Sequence, residues 1–332
     1  MTSNPASRFR LHLENGRARD PIFHMTPEAW RAAAARHSVL AAQVEVSIGW
    51  DGEGLEQSLA DAQGMIAGPI DKRLIAAAPR LEWLHTTGAG IDHLLPLAWL
   101  PERIVLTNSS GIHADRAEDY ASMALLMLQA RMPELIASQH ARRWQPIHGS
   151  GIAGRTVVIV GFGAVGQAAG RGAQRLGAKV VAVTRSGTPQ PGIEETLAVE
   201  RLDEVLPRAD FLLLAAPLTP QTRHLIDARR VWLLPPGAAV INIGRAPLLD
   251  YYAVAARLAS GHLRGAMIDV FDTEPMPPSA PWWDAPNMIV TPHVSCDGPD
   301  YLQRVFDVWF ENFGRRLGGQ DLLNRVDRAL GY

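Results

Sequence analysis

The sequence predicts an α/β protein built as two doubly wound units, each a parallel sheet covered by helices, with the second unit inserted into a discontinuous first. Three observations point there. Short apolar segments alternate with helical ones from Phe9 to about Thr87 and again from Thr156 to Val290. That rhythm builds parallel sheets with helices on both faces. A chain of 332 residues exceeds what one core usually holds, so two domains are expected. After His293 the pattern turns helical again, Tyr301 to Leu317, and a closing helix of this kind completes the first unit. The expected boundaries are 1–108 with 297–332 for one domain and 109–296 for the other.

The elements follow in order. Arg10–Glu14 and Val44–Ile48 are short apolar or alternating segments that suit strands. Between them Thr26-Pro27-Glu28 opens a helix through Ala35, with Thr26 as cap and Pro27 at the first helical position, where its missing N–H costs nothing. Gly64–Ala67 and Leu81–His85 are further strands around a helix from Asp71 to Ala78. A long helix, Arg116 to Arg131, with Glu118 and Asp119 in its first turn, separates the two series. The second series runs strand Val157–Val160, helix Val165–Leu176 and strand Lys179–Val183, then strands Phe211–Ala215, Ala239–Ile243, Gly265–Asp269 and Met288–Val290. Pro275–Pro281 is a loop.

Composition excludes several classes. The 47% apolar fraction fills two cores. The net charge of −2, without a basic block, argues against nucleic acid and against a polybasic membrane patch. A single cysteine, Cys296, excludes an intramolecular disulfide. Met1 to Asn15 lacks a signal-type apolar stretch, and Val157–Val160 and Ala121–Leu128 are too short to span a bilayer. These features describe a soluble, cytoplasmic protein.

The pattern G-x-G-x-x-G occurs twice, so position decides. Gly149–Gly154 precedes a strand and reads as a loop. Gly161-Phe162-Gly163-Ala164-Val165-Gly166 follows Val157–Val160 directly and opens a helix. There the first glycine permits a tight turn, the second admits a pyrophosphate, and the third lets helix and strand pack closely. The helix N-terminus favours the anion. One strand later an Asp or Glu usually holds an NAD ribose. Here the strand runs into Thr184-Arg185-Ser186-Gly187, and the nearest acid is Glu194. No carboxylate repels a 2′-phosphate, and Arg185 and Ser186 suit one, which tips the reading toward NADP, with NAD also possible.

Three further pieces supply a cation, a carboxylate and an imidazole: Arg245 in Ile241-Asn242-Ile243-Gly244-Arg245, Glu274 in Asp269–Pro275, and His293 in Thr291-Pro292-His293. With Thr87-Gly88-Ala89-Gly90-Ile91-Asp92-His93, the Gly161–Gly166 turn, and Ala215-Ala216-Pro217-Leu218-Thr219 with Thr222, the chain from about Leu81 onward resembles the D-isomer-specific 2-hydroxyacid dehydrogenases, in particular glyoxylate/hydroxypyruvate reductases. The resemblance implies a Rossmann nucleotide domain inserted into a flavodoxin-like substrate domain. It implies reduction of a small 2-keto acid to the D-2-hydroxy acid. His293 would be the general acid, and Glu274 would orient it and raise its pKa. Arg245 would bind the keto oxygen and carboxylate. Ala89 and Gly90 would offer amides to the substrate carboxylate across an interdomain cleft. Asp269 would orient the nicotinamide carboxamide, and Pro217, Thr222, Ile243 and Gly244 would line the cofactor. No metal is assigned. The family tends to dimerise, and Trp144 falls in the region through which it does so.

The chain departs from the family pattern in places. Ala246 and Pro247 follow Arg245 where the family has Gly, so a positive φ there would be strained. Cys296 stands where a small residue is usual. Glu274 argues against a formate-dehydrogenase-like reaction, which uses glutamine there. Trp282 and Trp283 read as packing for the loop between Glu274 and His293, and Trp50 as a strand cap or a cover for a small substrate. His113 receives no role. The competing readings are an NAD-linked dehydrogenase working oxidatively and a nucleotide-sensing protein on the same fold.

Overall fold

Every ladder between strands is parallel over residues 8–332, the span described by the computed structural model. The chain divides into two compact units, one formed by the chain up to Ile112 with Gly298–Tyr332, the other by His113–Asp297.

In the first unit, β1 (Phe9–Asn15), β2 (Val44–Trp50), β3 (Gly64–Ala67), β4 (Trp83–Thr86) and β5 (Val105–Thr107) line up as β2-β1-β3-β4-β5. This is the flavodoxin-like order, reversing between β1 and β3. The helices between them begin where their caps allow. Thr26 accepts from the Ala29 amide at 3.2 Å, and Asp71 accepts from Arg73 and Leu74 at 2.9 and 3.0 Å. The inner strands β3 and β4 are buried on both faces. Met65, Ala67 and Leu84 enter one core, while Leu11, Leu13, Ile66 and Trp83 enter the other. That second core is closed by helix Tyr301–Leu317. Its buried residues, Val305, Phe306, Trp309, Phe310 and Phe313, recur at the spacing of one helical face. Trp309 stacks on Trp83 at 5.2 Å between ring centroids. Each such aromatic contributes about 2–3 kcal/mol by burial, which fixes the closing helix to this sheet.

In the second unit, β6 (Thr156–Val160), β7 (Lys179–Thr184), β8 (Glu195–Ala198), β9 (Phe211–Leu214), β10 (Ala239–Asn242), β11 (Gly265–Ile268) and β12 (Met288–Val290) take the order β12-β11-β10-β9-β6-β7-β8. This is the Rossmann arrangement with one added strand, and its order reverses between β6 and β9. Val157 and Ile159 pack on one face with Tyr120, Leu125 and Leu128; Val158 and Val160 pack on the other with Leu202, Val254 and Leu258.

Some elements differ from expectation. The long helix spans Ala114–Gln129, so Asp115 sits in its first turn and Glu118 one turn inside. Glu118 is buried and pairs with Arg171, at 3.0 Å, and with Arg175. Gly172 permits this approach, because an added Cβ would lie 2.9 Å from the Glu118 carbonyl. The chain then breaks at Arg131, whose φ is 58°, and starts an unforeseen helix, Met132–His140. Strands β5 and β8 and helices Ala228–Leu233 and Tyr251–Ala259 were also not expected from the sequence. Among the described residues no helix is long and apolar enough to cross a membrane.

Candidate active site and nucleotide site

The residues expected to carry chemistry in the second unit all lie at or beyond the C-terminal ends of its parallel strands, the edge at which such sheets hold ligands. After β6, Gly161 has φ 88°, and a Cβ there would collide with the Ala216 backbone. A Cβ on Gly166 would strike the Gly161 carbonyl, whereas one on Gly163 meets nothing within 4 Å. The first glycine is thus demanded by the turn and the third by helix–strand contact. The second leaves open space where a pyrophosphate would approach. Ala164 and Val165 begin the helix, Ala164–Arg175, whose amides face the same turn. The residues present fit a dinucleotide.

After β7, the Thr184 hydroxyl accepts from the Gly187 amide at 2.9 Å, and Ser186 shares a 2.7 Å hydrogen bond with Thr188. Arg185 is exposed. Strand β8 runs parallel to β7 with Glu195 opposite Val181 and Ala198 opposite Thr184. Glu194 immediately precedes β8, four residues before Ala198, which places it about 13 Å from the Thr184 end at strand rise.

After β9, the Thr222 hydroxyl donates to the Pro217 carbonyl at 2.7 Å and accepts from the Thr219 amide at 2.8 Å. It closes the turn in which both were expected to line the cofactor. After β10, buried Asn242 organises the next turn. Its Oδ1 accepts from Gly244, and its Nδ2 donates to the Arg245 carbonyl, all at 3.1 Å. Tyr251 lies 3.1 Å from the same amide and donates to the Val270 carbonyl at 2.5 Å. Ile243 and Gly244 are buried, and a Cβ on Gly244 would come within 2.9 Å of Leu248. The half-buried Arg245 donates to the Gly244 carbonyl at 2.8 Å. Arg245 has φ −142° and Ala246 opens a 3₁₀ turn, so the position after the arginine needs no positive φ and alanine sits there without strain.

Glu274 and His293 meet. His293 Nδ1 donates to Glu274 Oε2 at 2.7 Å, while Oε1 accepts from the Phe271 amide at 2.8 Å. The side chains are 45% and 36% exposed, so the pair is open to solvent. Its hydrogen bond with Glu274 raises the His293 pKa against an opposing desolvation. Burial works to raise the Glu274 pKa, but the His293 hydrogen bond and the Phe271 amide outweigh it and hold the group below the usual carboxylate range.

His293 itself has φ 55°, a left-handed backbone that non-glycine residues rarely adopt. What holds it is Asp269, fully buried at the end of β11. One oxygen accepts from the Thr291 hydroxyl at 2.6 Å and the Val294 amide at 3.0 Å, the other from the Ser295 amide at 2.9 Å. Tyr120, from the long helix, shares a 2.6 Å bond with the Thr291 hydroxyl. A carboxylate has about four lone-pair sites, and the Thr291, Val294 and Ser295 donors take three of them. Sequence reasoning missed Asn242, Tyr120, Thr291 and Tyr251 as positioning groups. The only signal was a polar Asn242 inside an apolar strand.

Burial pushes the Cys296 thiol pKa up to about 11, the opposite of the lowered value that activates a thiolate. Trp282 packs edge-on against Tyr251 and Tyr252, at 5.5 and 4.9 Å, and Trp283 donates to the Pro277 carbonyl at 3.0 Å. Trp144 is 99% exposed.

The first unit has its own organised loop after β4. The Gly88 carbonyl accepts from Thr86 Oγ1 at 3.0 Å and from the Ser109 amide at 3.2 Å, and the Ala89 carbonyl accepts from Asn108 at 2.9 Å. The Gly88 and Ala89 carbonyls are thus committed within a half-exposed segment, Gly88-Ala89-Gly90. Trp50 packs edge-on against His24 at 4.9 Å, with Arg17 5.8 Å from its ring.

Residues 122–295 match the family profile described as D-isomer specific 2-hydroxyacid dehydrogenase, NAD binding domain. D-3-phosphoglycerate dehydrogenase of Mycobacterium tuberculosis is 31% identical over 302 residues, covering 88% of this chain and 57% of that one. This chain thus spans little more than half the length of that relative. Among solved structures, a D-isomer specific 2-hydroxyacid dehydrogenase from Xanthobacter autotrophicus Py2, in complex with NADPH and MES, has a TM-score of 0.85 at 28% identity, over 97% of this chain and 99% of that one. An NADPH-dependent glyoxylate/hydroxypyruvate reductase from Sinorhizobium meliloti, in complex with NADP and sulfate, has a TM-score of 0.82 at 28% identity, over 98% and 100%.

Proposed function

Because this chain belongs to the D-isomer-specific 2-hydroxyacid dehydrogenase family, we propose that it is an oxidoreductase reducing a small 2-keto acid to the D-2-hydroxy acid with a nicotinamide cofactor, NADPH in preference to NADH. Glyoxylate and hydroxypyruvate are the reference substrates. The observation that carries the reaction class is the 2.7 Å pair of His293 Nδ1 with Glu274. A pyrophosphate would rest on Gly161–Gly166, with Thr184, Arg185 and Ser186 at the ribose, Pro217, Thr222, Ile243 and Gly244 along the cofactor, and Asp269 toward the carboxamide. When bound, the nicotinamide supplies hydride to C2 of the substrate.

The chain's own groups do the rest. Glu274 holds the Nδ1 proton of His293, which leaves Nε2 to deliver its proton to the oxygen on C2. His293 ends neutral and is reprotonated from solvent, to which the pair is open. Arg245, always cationic, stabilises negative charge growing on that oxygen. Ala89 and Gly90 hold the substrate carboxylate through their amides.

The preference for NADPH is supported by the 13 Å or so of strand separating Glu194 from the Thr184 end, and by Arg185 beside it. Assembly as a homodimer is part of the same reading. Exposed Met123, Leu126 and Trp144 support it, and sedimentation of the Trp144→Ala variant tests it.

Steady-state reduction of a 2-keto acid panel with each cofactor is the test. Turnover with NADPH favoured is expected. Arg185→Ala should lower kcat/KM for NADPH about 10-fold, the low end for charge-assisted hydrogen bonds at an exposed site, and leave NADH nearly unchanged. Turnover favouring NADH would retain the chemistry but remove the 2′-phosphate argument. Nucleotide binding without turnover would replace the enzyme with a nucleotide-sensing protein.

A further inference from the structure

One cation in the first unit is left unused by this reading. Arg19 follows β1, the strand neighbouring β3 in the sheet, and reaches the loop after β4. Its Nη1 donates to Thr87 Oγ1 at 3.3 Å, two residues before Ala89. The guanidinium lies 4.4 Å from the centre of the Phe23 ring. It also rests on Gly68, after β3, where any Cβ would collide with Nη1. Phe23 in turn meets Tyr301 edge-on at 4.7 Å, and the Tyr301 hydroxyl donates to the Thr87 carbonyl at 2.7 Å. Arg19, Phe23, Tyr301 and Thr87 form a closed ring of contacts that fixes the cation at the ligand-binding edge of this sheet.

The nearby acids are engaged elsewhere. Asp51 and Glu53 take Arg17 at 2.8 and 2.7 Å, and Asp20 accepts from the Ile22 amide at 3.0 Å. Among the described residues no carboxylate pairs with Arg19, although the half-buried guanidinium has five N–H donors and uses one on Thr87. A fixed guanidinium without a carboxylate partner is the feature that selects an anion.

We propose that Arg19 is a specificity-determining residue that binds a second anionic group on the substrate, so that the preferred 2-keto acid is a dianion carrying a carboxylate, phosphate or sulfonate beyond C2. This rests on the reading that Ala89 and Gly90 hold the first carboxylate. Two residues of extended chain span at most about 7 Å, and Arg19 contacts Thr87, two residues before Ala89. That spacing suits the two charged ends of a three- or four-carbon acid.

The test compares oxaloacetate with 2-oxobutanoate, which has the same chain length and one charge fewer, in wild type, Arg19→Gln and Arg19→Lys. In parallel, calorimetry measures binding of D-malate and D-2-hydroxybutanoate to the NADP-loaded enzyme. Expected is a wild-type preference for the dianion. Arg19→Gln should lower kcat/KM for oxaloacetate about 10- to 100-fold, change 2-oxobutanoate less than about 2-fold, and be partly rescued by Arg19→Lys. Equal losses on both acids, or none on either, overturn the inference while the reductase reading stands. Tight, Arg19-dependent D-malate binding with no turnover of any acid supports the anion subsite and overturns the reductase reading.

Discussion

Replacing Asp269 with asparagine tests whether the loop bearing His293 is held by one buried carboxylate. The side chain keeps its shape but loses its charge and exchanges one acceptor oxygen for an NH2 group. Three donors converge on the native carboxylate: the Thr291 hydroxyl and the Val294 amide on one oxygen, the Ser295 amide on the other. A hydroxyl can turn and accept, but a backbone N–H cannot. Whichever way the asparagine amide faces, one buried N–H of Val294 or Ser295 is set against another donor, at a cost of about 1–3 kcal/mol. The surviving hydrogen bonds fall from charge-assisted to neutral strength, about 1 kcal/mol each. The sum is about 3–5 kcal/mol, charged against a loop whose His293 already sits at φ 55°.

That magnitude predicts local opening, because the strand core behind Asp269 is apolar and does not depend on it. Hydrogen exchange at the Val294 and Ser295 amides should accelerate by at least about 100-fold in Asp269→Asn, since 1.4 kcal/mol is a factor of ten. Amides of β6 and β10 should change little. Native-like protection of Val294 and Ser295 in the variant would refute the accounting, whatever happens to activity.

Three further outcomes follow from the same geometry. Glu274→Gln removes the main cause of the raised His293 pKa, so the pH at which reduction falls off should move down, which a pH–rate profile of kcat/KM reads. Gly161→Ala forces a Cβ onto the Ala216 backbone at a φ of 88°. A loss of about 2–4 kcal/mol in denaturant unfolding is expected, with weakened nucleotide binding by calorimetry. Ala246→Gly, although it restores the family residue, should destabilise by about 1 kcal/mol in the same assay, because Ala246 is buried in a turn of ordinary φ.

What the sequence made legible was local. Strands such as Gly64–Ala67 and Met288–Val290 declare themselves by composition, and helix Pro27–Arg36 begins where a Thr-Pro pair permits it. The nucleotide turn was readable because each glycine answers a separate backbone demand within six residues. Strands β5 and β8 were missed although they are no shorter than Met288–Val290; β8, Glu195-Thr196-Leu197-Ala198, opens on two polar residues and so shows no apolar run. The start of the long helix was misplaced because Glu118 looks like a first-turn acid, whereas its charge is held by Arg171 and Arg175 on another helix. The supports of the candidate site were illegible for the same reason. Tyr120 meets Thr291, and Tyr301 meets Thr87, across 171 and 214 residues. No spacing rule connects residues so far apart.

The placement of charge separates what this site does from what keeps it folded. His293 and Glu274 are exposed enough that their pairing is worth at most about 1 kcal/mol to stability. The His293 part, with its folded pKa raised, is fully present below the ordinary imidazole value of about 6.5 and is lost as pH rises through the folded value. The Glu274 part, with its folded pKa depressed, is present above the ordinary value of about 4.3 and is lost as pH falls through the folded one. Between those limits the pair contributes all it can, and little changes beyond them. The proposed reduction, however, needs the protonated imidazole, so its rate should fall on the alkaline side by a factor of ten per pH unit. The fall begins in a range where the fold loses no more than that small contribution. The loop bearing His293 instead leans on Asp269, and the turn bearing Arg245 on Asn242, both buried where solvent does not reach them. A molecule arranged in this way can let its acid titrate freely while the backbone that aims it stays fixed.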